Sequence, residues 1–458
     1  MTAGAIAELA GGRVDGDSAA LVTGVATDTR RMAGGELFVA LSGEHADGHD
    51  FLGHAARAGA AAVLVREGSA VPEDLAAIVV ADPLAALGRI ATAVRLRLRA
   101  HVVAITGSSG KTITKDLLAA VTGGAFRTVA SEASFNNEIG VPLTLLNADA
   151  STEVVIVEVG ARGIGHIASL MPMVAPDMAV VLNVGVAHIG MFGSQEAIAT
   201  AKGELVEGLA DTGVAVLNAD DERVAAMRSR TAARVIGFGF SGEADVRAEN
   251  LSLDADARAT FTLVTPGGRA EVTLEIPGEH IVSDALAAAA AATALGMNPE
   301  AIAAGLTSAA PPPWRMQTID APGGWRVLND AYNSNPRSLA AGLKTLVAMA
   351  RGRRTWAVLG VMAELGDHSN EEHDRIGRLA VRLGVGRLVA VGEQTRPLLE
   401  AARMEGMTPA EAVIVADAAE AVRVVLDEIA AGDVVLVKAS RAAGLERVAL
   451  ALAGEVAP

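Results

Sequence analysis

Short apolar runs alternate with helical patterns along the whole chain, and the first such series occupies residues 1–100. Strand-like runs at Leu37–Leu41 and Ala61–Val65 flank a helical stretch at Ala55–Ala60, and a longer helical pattern follows Pro83. Alternation of strands with helices is typical of α/β structure. The series therefore predicts a small N-terminal α/β domain.

A second series, over residues 101–312, predicts a parallel sheet, since five apolar runs alternate with helical patterns. The runs are Val102–Thr106, Val154–Glu158, Ala179–Val184, Val214–Leu217 and Val235–Phe238. From about Leu251 to Ile276 the apolar period changes to two around the turn Pro266–Gly268, which predicts an added antiparallel hairpin. An Ala-rich helix is expected near 284–296, and Pro311–Pro313 marks a stiff linker.

The last series, over residues 313–458, repeats the β/α alternation without a phosphate-binding loop. Its apolar runs are Arg326–Asn329, Trp356–Leu359, Leu388–Val391, Val413–Val415 and Val434–Val437. This pattern predicts a Rossmann-like, doubly wound domain. The fold class is therefore α/β, with three domains: a small N-terminal one, a central parallel-sheet one and a C-terminal Rossmann-like one.

Composition and charge mainly exclude classes of protein. The 38 basic and 54 acidic residues give a net charge of −16, which argues against a nucleic-acid binder, because such proteins carry a basic face. No apolar run reaches the ~18 residues of a membrane span, and the N-terminus lacks the basic and apolar regions of a signal peptide. With no cysteine, disulfides and thiolate zinc sites are excluded. We therefore expect a cytoplasmic protein with no membrane span and no nucleic-acid partner.

The stretch HVVAITGSSGKTITK, starting at His101, has the order strand, glycine loop, helix that a phosphate-binding loop requires. Glycines let backbone N–H groups turn toward phosphate oxygens, and the following helix N-terminus adds partial positive charge. Lys111 would reach the β- and γ-phosphates, and the Thr112 hydroxyl would ligate Mg²⁺. The general motif expects a glycine at Ile105; here the loop glycine is Gly107 instead. The loop therefore predicts nucleotide binding with an unusual glycine placement.

Only five lysines occur among the 38 basic residues, so each is a candidate for a role that needs a compact, titratable amine. They are Lys111, Lys115, Lys202, Lys344 and Lys438. Two of the five lie in or beside the phosphate loop. Lys202 lies in a helical stretch, where an ordinary surface lysine is the alternative interpretation.

Two further candidates follow strands of the second series. Glu158 closes one apolar run, and His188 lies shortly after another. The carboxyl ends of parallel strands face the nucleotide crevice, so both side chains are candidate ligands for Mg²⁺. The residues alone leave open an ordinary strand-ending glutamate and a structural histidine.

Two polar clusters follow strands of the third series. The segment from Asp330 to Pro336 contains the single tyrosine, Tyr332, and its polar side chains suit contacts to ribose and phosphate. The second cluster, Lys438, Ser440 and Arg441, suits a carboxylate; a solvated helix start is the alternative.

Taken together, these motifs resemble those of the Mur ligases, the ATP-dependent amide-forming enzymes of peptidoglycan precursor synthesis. The similar segments, in chain order, are TDTRRMAGGELFVALSGEHADGHDF, TGSSGKTITK, SFNNEIGVPLTLLN, VIVEVGARGIGHI, NVGVAHIGMFGS, AKGELVEGL, NADD, PGEHIVSDALAAAAAA, DAYNSNPRSL, GVMAELGDHS and VLVKASR. The resemblance covers all three predicted domains, and Ile105 is normal for the family. The family usually shows Asn at the positions of Ile281 and Asp284, whereas His280 agrees.

The resemblance implies a role for each matching residue. ATP would be bound by Thr106, Gly107, Ser108, Ser109, Gly110, Lys111, Thr112, Asn137, His280, Asp284, Arg315, Asp330 and Tyr332. Two Mg²⁺ ions would be held by Thr112, Glu158, His188 and a carbamylated Lys202. The catalytic set would be Lys111, Lys202, His188 and Glu158. The substrates would be bound by Thr27, Asp28, Thr29, Arg30, Asp47, Gly48 and His49 at the UDP-sugar end, and by Lys438, Ser440 and Arg441 at the other.

Within the family, DAYNSNPRSL, GVMAELGDHS and VLVKASR most resemble the members that join UDP-N-acetylmuramoyl-tripeptide to D-alanyl-D-alanine. We expect that reaction, carried out by a monomer through an acyl phosphate. A folylpolyglutamate-type ligase, or another Mur-type ligase adding one amino acid, is the nearer alternative; residues 27–51 argue against the former. A nucleotide-dependent switch protein is a more distant one, but no lysine follows an Asn, as a guanine-binding motif would require.

Overall fold

A computed structural model describes residues 1–43, 46–187 and 189–455 of the 458-residue chain. Within these ranges the strands form three sheets, of five, nine and six strands in chain order. Helices separate most of the parallel strands, so the predicted α/β class is confirmed. The described residues contain no helix that is both long and apolar enough to cross a membrane.

The five-stranded sheet has the order β1-β5-β4-β3-β2, in which β2 to β5 are parallel and β1 is antiparallel. Its region contains α1 (Ala3–Ala10), β1 (Arg13–Asp15), β2 (Gly24–Ala26), β3 (Glu36–Val39), α2 (Leu52–Arg57), β4 (Ala62–Arg66), β5 (Ala76–Val80) and α3 (Pro83–Arg95). Asp82 caps α3, accepting hydrogen bonds from the N–H groups of Leu84 and Ala85, and Pro83 takes the first helical position. The two predicted strands and the helix after Pro83 are confirmed.

The nine-stranded sheet has the order β14-β13-β12-β11-β10-β9-β6-β8-β7. Its region contains β6 (His101–Thr106), α4 (Lys111–Gly123), β7 (Thr128–Ala130), α5 (Gly140–Leu146), β8 (Val154–Glu158), α6 (His166–Val174), β9 (Met178–Val181), α7 (Ile189–Phe192), α8 (Gln195–Glu207), β10 (Val214–Asn218), α9 (Glu222–Ala225), β11 (Arg234–Gly239), β12 (Val246–Leu253), β13 (Arg258–Thr265), β14 (Gly268–Pro277), α10 (Ile281–Ala294) and α11 (Pro299–Ser308). All five predicted runs are strands. The predicted hairpin is β13–β14, and β12 extends it to three antiparallel strands.

The six-stranded sheet has the order β15-β16-β20-β17-β18-β19. Its region contains β15 (Gln317–Asp320), β16 (Arg326–Asn329), α12 (Pro336–Ala350), β17 (Thr355–Leu359), α13 (Ser369–Arg382), β18 (Arg387–Val391), α14 (Arg396–Met404), β19 (Ala412–Val415), α15 (Ala418–Glu428), β20 (Val434–Lys438) and α16 (Glu446–Leu452). Five strands are parallel, and β15 pairs antiparallel with β16 at the edge. The predicted doubly wound alternation is confirmed.

The chain forms two compact units. The first comprises Met1–Ala104, Phe126–Gly160 and Ile167–Met178, and the second comprises Ile105–Ala125, Ala161–His166 and Ala179–Pro458. In the second unit, α10 packs against both α4 and α11, and every residue of its run Ala285–Ala292 is fully buried. Methyl side chains allow helices to approach closely, so this run places the first turn of α10 firmly against α4.

Candidate active site

The phosphate loop lies between β6 and α4, as its sequence predicts. Gly110 is the N-cap residue of α4 and has a left-handed backbone with φ of +86°, so no capping side chain covers the first-turn N–H groups. The Lys111 ammonium donates to the Gly107 carbonyl at 2.9 Å and closes over the loop. The Thr106 hydroxyl is buried and has no hydrogen-bond partner among the described residues. An uncapped helix start with a lysine across it suits polyphosphate.

Asn183, just after β9, holds this loop in place, and the sequence interpretation missed it. Its side-chain oxygen accepts from the Ser109 N–H at 3.0 Å, and its amide nitrogen donates to the Ser109 carbonyl at 3.1 Å. Its own carbonyl accepts from the Ser108 N–H at 3.1 Å. The signal available in the sequence was a polar residue near the end of an apolar run, two positions before Gly185.

Gly107 allows the loop to pack directly on Leu182 at the end of β9. A Cβ at Gly107 would lie 2.8 Å from the Leu182 Cβ, closer than carbon atoms pack. This contact explains why the glycine is at Gly107, two positions after the place where the general motif expects it.

Lys202 lies on α8 and is only 4% exposed, so the surface-lysine alternative is wrong. Burial lowers the pKa of its amine well below the ordinary value, and the nearby Lys111 lowers it further. The lowered pKa favours the uncharged form of this amine, and an uncharged amine is nucleophilic.

The first turn of α10 brings two predicted residues next to the third sheet's loops. Burial lowers the pKa of His280 to about 4; Asp330 acts in the opposite direction, and Lys438 and Arg337 lower it further. Burial raises the pKa of Asp284 to about 7, against the influence of Arg337, Thr114 and Arg315. Arg337, the second residue of α12, was not among the predicted site residues.

Two arginine–aromatic stacks flank one backbone hydrogen bond. The Arg315 guanidinium lies 4.1 Å from the centre of the Tyr332 ring, and that of Arg441 lies 4.5 Å from the Trp314 ring centre. The Tyr332 N–H donates to the Trp314 carbonyl at 3.1 Å. Arg315 and Tyr332, predicted separately, therefore form one stacked pair.

Lys438 ends β20 and is 1% exposed, so the solvated-helix alternative is wrong for this residue. Its ammonium donates to Asp330 Oδ2 at 2.5 Å and to the Asn333 carbonyl at 2.8 Å. Burial lowers the pKa of Lys438, and Asp330 opposes that effect. The nearby Ser440 hydroxyl accepts from the Ala363 N–H at 2.9 Å.

The loop after β17 is held by a histidine that the sequence interpretation did not single out. His373, on α13, is fully buried; its Nε2 accepts from the Met362 N–H at 3.1 Å, and its Nδ1 donates to the Ser369 carbonyl at 2.7 Å. Burial lowers the pKa of His373. Because one ring nitrogen accepts a hydrogen bond and the other donates one, these contacts favour the neutral imidazole.

In the first unit, Glu158 is buried at the end of β8. Its carboxylate accepts from the Asn136 side-chain amide at 2.8 Å, and its N–H donates to the Ser131 hydroxyl at 3.0 Å. The side-chain oxygen of Asn137 accepts from the Gly140 N–H at 2.9 Å at the start of α5. A carboxylate oriented in this way is a hard oxygen ligand of the kind Mg²⁺ prefers.

The predicted UDP-sugar residues lie in two short turns of the same unit. Thr27 precedes Asp28, which caps the 3-10 turn Thr29–Arg31; its carboxylate accepts from the Arg30 guanidinium at 2.6 Å. Hydrogen bonding to Arg30 lowers the pKa of Asp28.

Asp47 caps the second turn, Gly48–Phe51, and forms a network with His49 and Arg66. It accepts from His49 Nδ1 at 2.6 Å and from the Arg66 guanidinium at 2.9 Å, and the Arg66 N–H donates to His49 Nε2 at 3.2 Å. Hydrogen bonds from His49, its backbone N–H first, lower the pKa of Asp47. Arg66, at the end of β4, was missed because it follows an apolar run and belongs to no motif.

One predicted ligand, His188, lies outside the described residues. Glu158 and Asn137 belong to the first unit, and Thr112 and Lys202 belong to the second. Among the residues that the structure describes, no group of three or more His, Cys, Asp or Glu side chains is arranged to hold a metal ion.

The sequence matches models of known protein families over all three of its sheets. Three family models match in chain order: "Mur ligase family, catalytic domain" over residues 21–95, "Mur ligase middle domain" over 105–292 and "Mur ligase, glutamate ligase domain" over 314–441. The chain belongs to the Mur ligase family. The predicted family is thereby confirmed, and the chain is that of an ATP-dependent ligase.

Individual Mur ligases resemble this chain over almost its full length. The UDP-N-acetylmuramoyl-tripeptide–D-alanyl-D-alanine ligase of Mycobacterium tuberculosis is 46% identical over 99% of this chain and 98% of its own. A crystal structure of MurF from Acinetobacter baumannii is similar with a TM-score of 0.86 and 31% identity, covering 99% of both chains. A MurF ligase from Thermotoga maritima, solved in complex with ADP, has a TM-score of 0.79 and 25% identity, covering 93% of this chain and 96% of its own.

Proposed function

We propose that this Mur ligase joins D-alanyl-D-alanine to UDP-N-acetylmuramoyl-tripeptide, with hydrolysis of ATP to ADP and phosphate. The observation that carries the proposal is the 46% identity to ligases named for that reaction, which extends over both chains almost completely. The dipeptide rather than a single amino acid is the incoming amine, because the relatives are named for the dipeptide.

The chemistry has two balanced steps. The tripeptide carboxylate, a poor electrophile, attacks the γ-phosphorus of ATP; the bond to ADP breaks and an acyl phosphate forms. The dipeptide amine then attacks the acyl carbon, loses a proton and expels inorganic phosphate, which leaves an amide. Both steps depend on positioning and on neutralisation of phosphate charge rather than on a protein nucleophile.

The phosphate loop is the proposed ATP site. Gly107, Ser108, Ser109 and Gly110 form the loop that leads into the N-terminus of α4, whose partial positive charge favours phosphate, and Lys111 neutralises charge on the transferred phosphoryl group. Thr106, Asn137, His280, Asp284, Arg315, Asp330 and Tyr332 complete the proposed nucleotide contacts. The uncapped start of α4 and the Arg315–Tyr332 stack support this assignment.

Mg²⁺ is the proposed metal, with two ions held by Thr112, Glu158, His188 and Lys202. The Thr112 hydroxyl and the buried Glu158 carboxylate are hard oxygen donors, which fit this ion. When bound, Mg²⁺ supplies positive charge at the phosphates.

Lys202 is proposed to react with CO₂ and become a carbamate. The uncharged amine attacks the carbon of CO₂ and loses one proton, so that the side chain becomes an anionic oxygen ligand. Its burial and its lowered pKa support the proposal, because only an unprotonated amine can react.

The three predicted domains divide the substrates between them. Residues 1–100 would bind the UDP-sugar through Thr27, Asp28, Thr29, Arg30, Asp47, Gly48 and His49; residues 101–312 would bind ATP; residues 313–458 would bind the dipeptide through Ser440 and Arg441. Lys438 acts there through its ion pair with Asp330. These boundaries and assignments stay predictions.

One assay tests the proposal. The purified protein is supplied with ATP, Mg²⁺, UDP-N-acetylmuramoyl-tripeptide and D-alanyl-D-alanine, and both phosphate release and the mass of the UDP product are measured. We expect one phosphate released for each UDP product formed. The mass of that product should exceed the mass of the UDP-substrate by the mass of D-alanyl-D-alanine less one water. Turnover with D-alanine alone, and none with the dipeptide, would contradict the proposed substrate while leaving the ligase chemistry intact.

A further inference from the structure

Asp284 places a buried carboxylate directly against the phosphate loop. The residue is 7% exposed, and a Cβ at Gly110 would lie 2.2 Å from its Oδ1 atom. The side chain projects from the first turn of α10, which packs against α4. The carboxylate is therefore in contact with the residue that caps α4.

A carboxylate here conflicts with phosphate binding. Gly110 opens the helix whose N–H groups would receive the phosphates of ATP, and two anions brought together in a site without water repel strongly.

The charged groups around Asp284 are few. Arg337 on α12 and Arg315 act on it electrostatically, and the Thr114 hydroxyl on α4 also favours its ionised form. Lys111 donates to the Gly107 carbonyl at 2.9 Å, and Lys115 forms an ion pair with Asp116 at 2.7 Å. On α10 itself, burial lowers the pKa of His280 to about 4, so its imidazole is neutral at pH 7.

We propose that nucleotide binding at the phosphate loop is coupled to the uptake of one proton by Asp284, which accepts the phosphates only as the neutral carboxylic acid. The proton comes from the buffer, and the acid O–H becomes a hydrogen-bond donor where the carboxylate was an acceptor. The inference rests on the proposed binding of ATP at this loop.

The direction of the pH dependence follows from the sign of the shift. Burial raises the pKa of Asp284 to about 7, so the free protein holds the acid form below that pH and the carboxylate above it. Binding that requires the acid form therefore weakens as the pH rises. Between pH 7 and pH 8.5 the apparent affinity for ADP should fall about 16-fold by proton linkage.

Isothermal titration calorimetry of ADP with Mg²⁺ tests the inference, with the wild-type protein compared with Asp284→Asn. Titrations at pH 7.5 in two buffers of different ionisation enthalpy give the number of protons taken up. Wild-type protein should take up about three-quarters of a proton more than the variant, as a group with pKa about 7 requires. The variant should also bind ADP with nearly equal affinity at pH 7 and pH 8.5. Protonation of the nucleotide itself cancels in the difference.

Equal proton uptake by the two proteins would overturn the inference. If circular dichroism shows that Asp284→Asn does not fold, Asp284→Ser takes its place, and the proton uptake of the wild-type protein is compared with that of Asp284→Ser. Failure of the wild-type protein to bind ADP at pH 6.5 would contradict the proposed nucleotide site instead, so the two failures are distinguishable.

Discussion

The Lys438 ammonium and the Asp330 carboxylate form a buried ion pair, with 2.5 Å between Nζ and Oδ2. Family resemblance assigned these residues to different ligands, the dipeptide and the nucleotide. Lys438 and Asp330 neutralise each other's charge at the ends of β20 and β16. A substitution of either residue should therefore affect both the proposed dipeptide subsite and the proposed nucleotide subsite.

Replacement of Lys438 by Met should lower the free energy of unfolding of the region that contains the six-stranded sheet (the third-sheet region) by about 3–5 kcal/mol. The reason is that the Asp330 charge is left buried and unpaired. All three tryptophans, Trp314, Trp325 and Trp356, lie in this region, so urea unfolding followed by tryptophan fluorescence reports on it selectively. Lys344→Met, at an exposed position of α12, is the matched control and should change the midpoint little. A stable Lys438→Met protein would show that the pair contributes nothing to folding.

Lys111→Ala should abolish phosphate release while leaving the affinity for UDP-N-acetylmuramoyl-tripeptide nearly unchanged. Lys111, whose proposed role is to neutralise phosphate charge, belongs to the second unit, whereas the proposed UDP-sugar residues belong to the first. Phosphate release and direct binding of the UDP-substrate are the two measurements, with Lys344→Ala as the control. Loss of both properties would argue against separate sites.

Lys202→Ala should be inactive and should regain part of its activity with short carboxylic acids, which can replace a carbamate as an anionic oxygen ligand. The burial of the amine and its lowered pKa are the physical reasons to expect the modification. Activity is measured across a series of acetate concentrations, and Lys111→Ala, which lacks a different group, should not respond. Absence of rescue in a correctly folded variant would count against the carbamate.

Arg66→Ala should weaken binding of the UDP-substrate about 10-fold, corresponding to ~1.4 kcal/mol. The Arg66 guanidinium donates to the Asp47 carboxylate, and the substitution removes this contact while the backbone N–H that donates to His49 Nε2 is retained. The variant therefore frees the Asp47 carboxylate, which caps the turn that carries the proposed ligands. Substrate affinity is measured by calorimetry. Arg13→Ala removes an exposed pair with Glu67 in the same unit and serves as control. If Arg66→Ala and Arg13→Ala bind the UDP-substrate with equal affinity, the turn Gly48–Phe51 does not take part in binding the UDP-substrate.

His373 should make the third-sheet region less stable as the pH falls. Burial lowers its pKa in the folded state, so the unfolded chain binds a proton at a higher pH than the folded protein does. Stability is therefore lost as the pH drops below the ordinary histidine pKa of ~6.5, by at most ~1.4 kcal/mol per pH unit. Urea midpoints from tryptophan fluorescence at pH 7 and pH 5 should differ less for His373→Gln than for wild type. His368→Gln, at an exposed position nearby, should behave like wild type.

Most of the strands that the sequence predicts are buried on both faces, whereas the hairpin strands β13 and β14 were predicted from their alternation. The buried strand β5 was nevertheless missed. Runs such as Val154–Glu158 and Val434–Lys438 are continuously apolar because helices cover both sides of a parallel sheet. The strands β2 and β15 were missed because they are short, half-exposed edge strands whose residues alternate only weakly.

The sequence predicts the local structure of the phosphate loop, whereas contacts between residues far apart in the chain could not be predicted. The phosphate loop is one uninterrupted motif, so its order of strand, loop and helix could be predicted. The roles of Asn183 and Arg66 depend on which residues they meet in the fold: Asn183 binds the backbone of Ser108 and Ser109, and Arg66 binds the side chains of Asp47 and His49. The contact of Asp284 with Gly110 joins residues far apart in the chain, which no spacing rule indicates.

The alanine run of α10 restricts how this nucleotide site can change over evolutionary time. Because Ala285–Ala292 is fully buried, a larger side chain anywhere in it would push α10 away from its neighbours, and a lineage can accept little beyond exchanges among small residues. The first turn of α10 also contains the polar residues His280, Ser283 and Asp284, beside the buried Ile281 and Val282. Variation in nucleotide affinity among descendants of this chain should therefore accumulate at that turn while the rest of the helix stays constant.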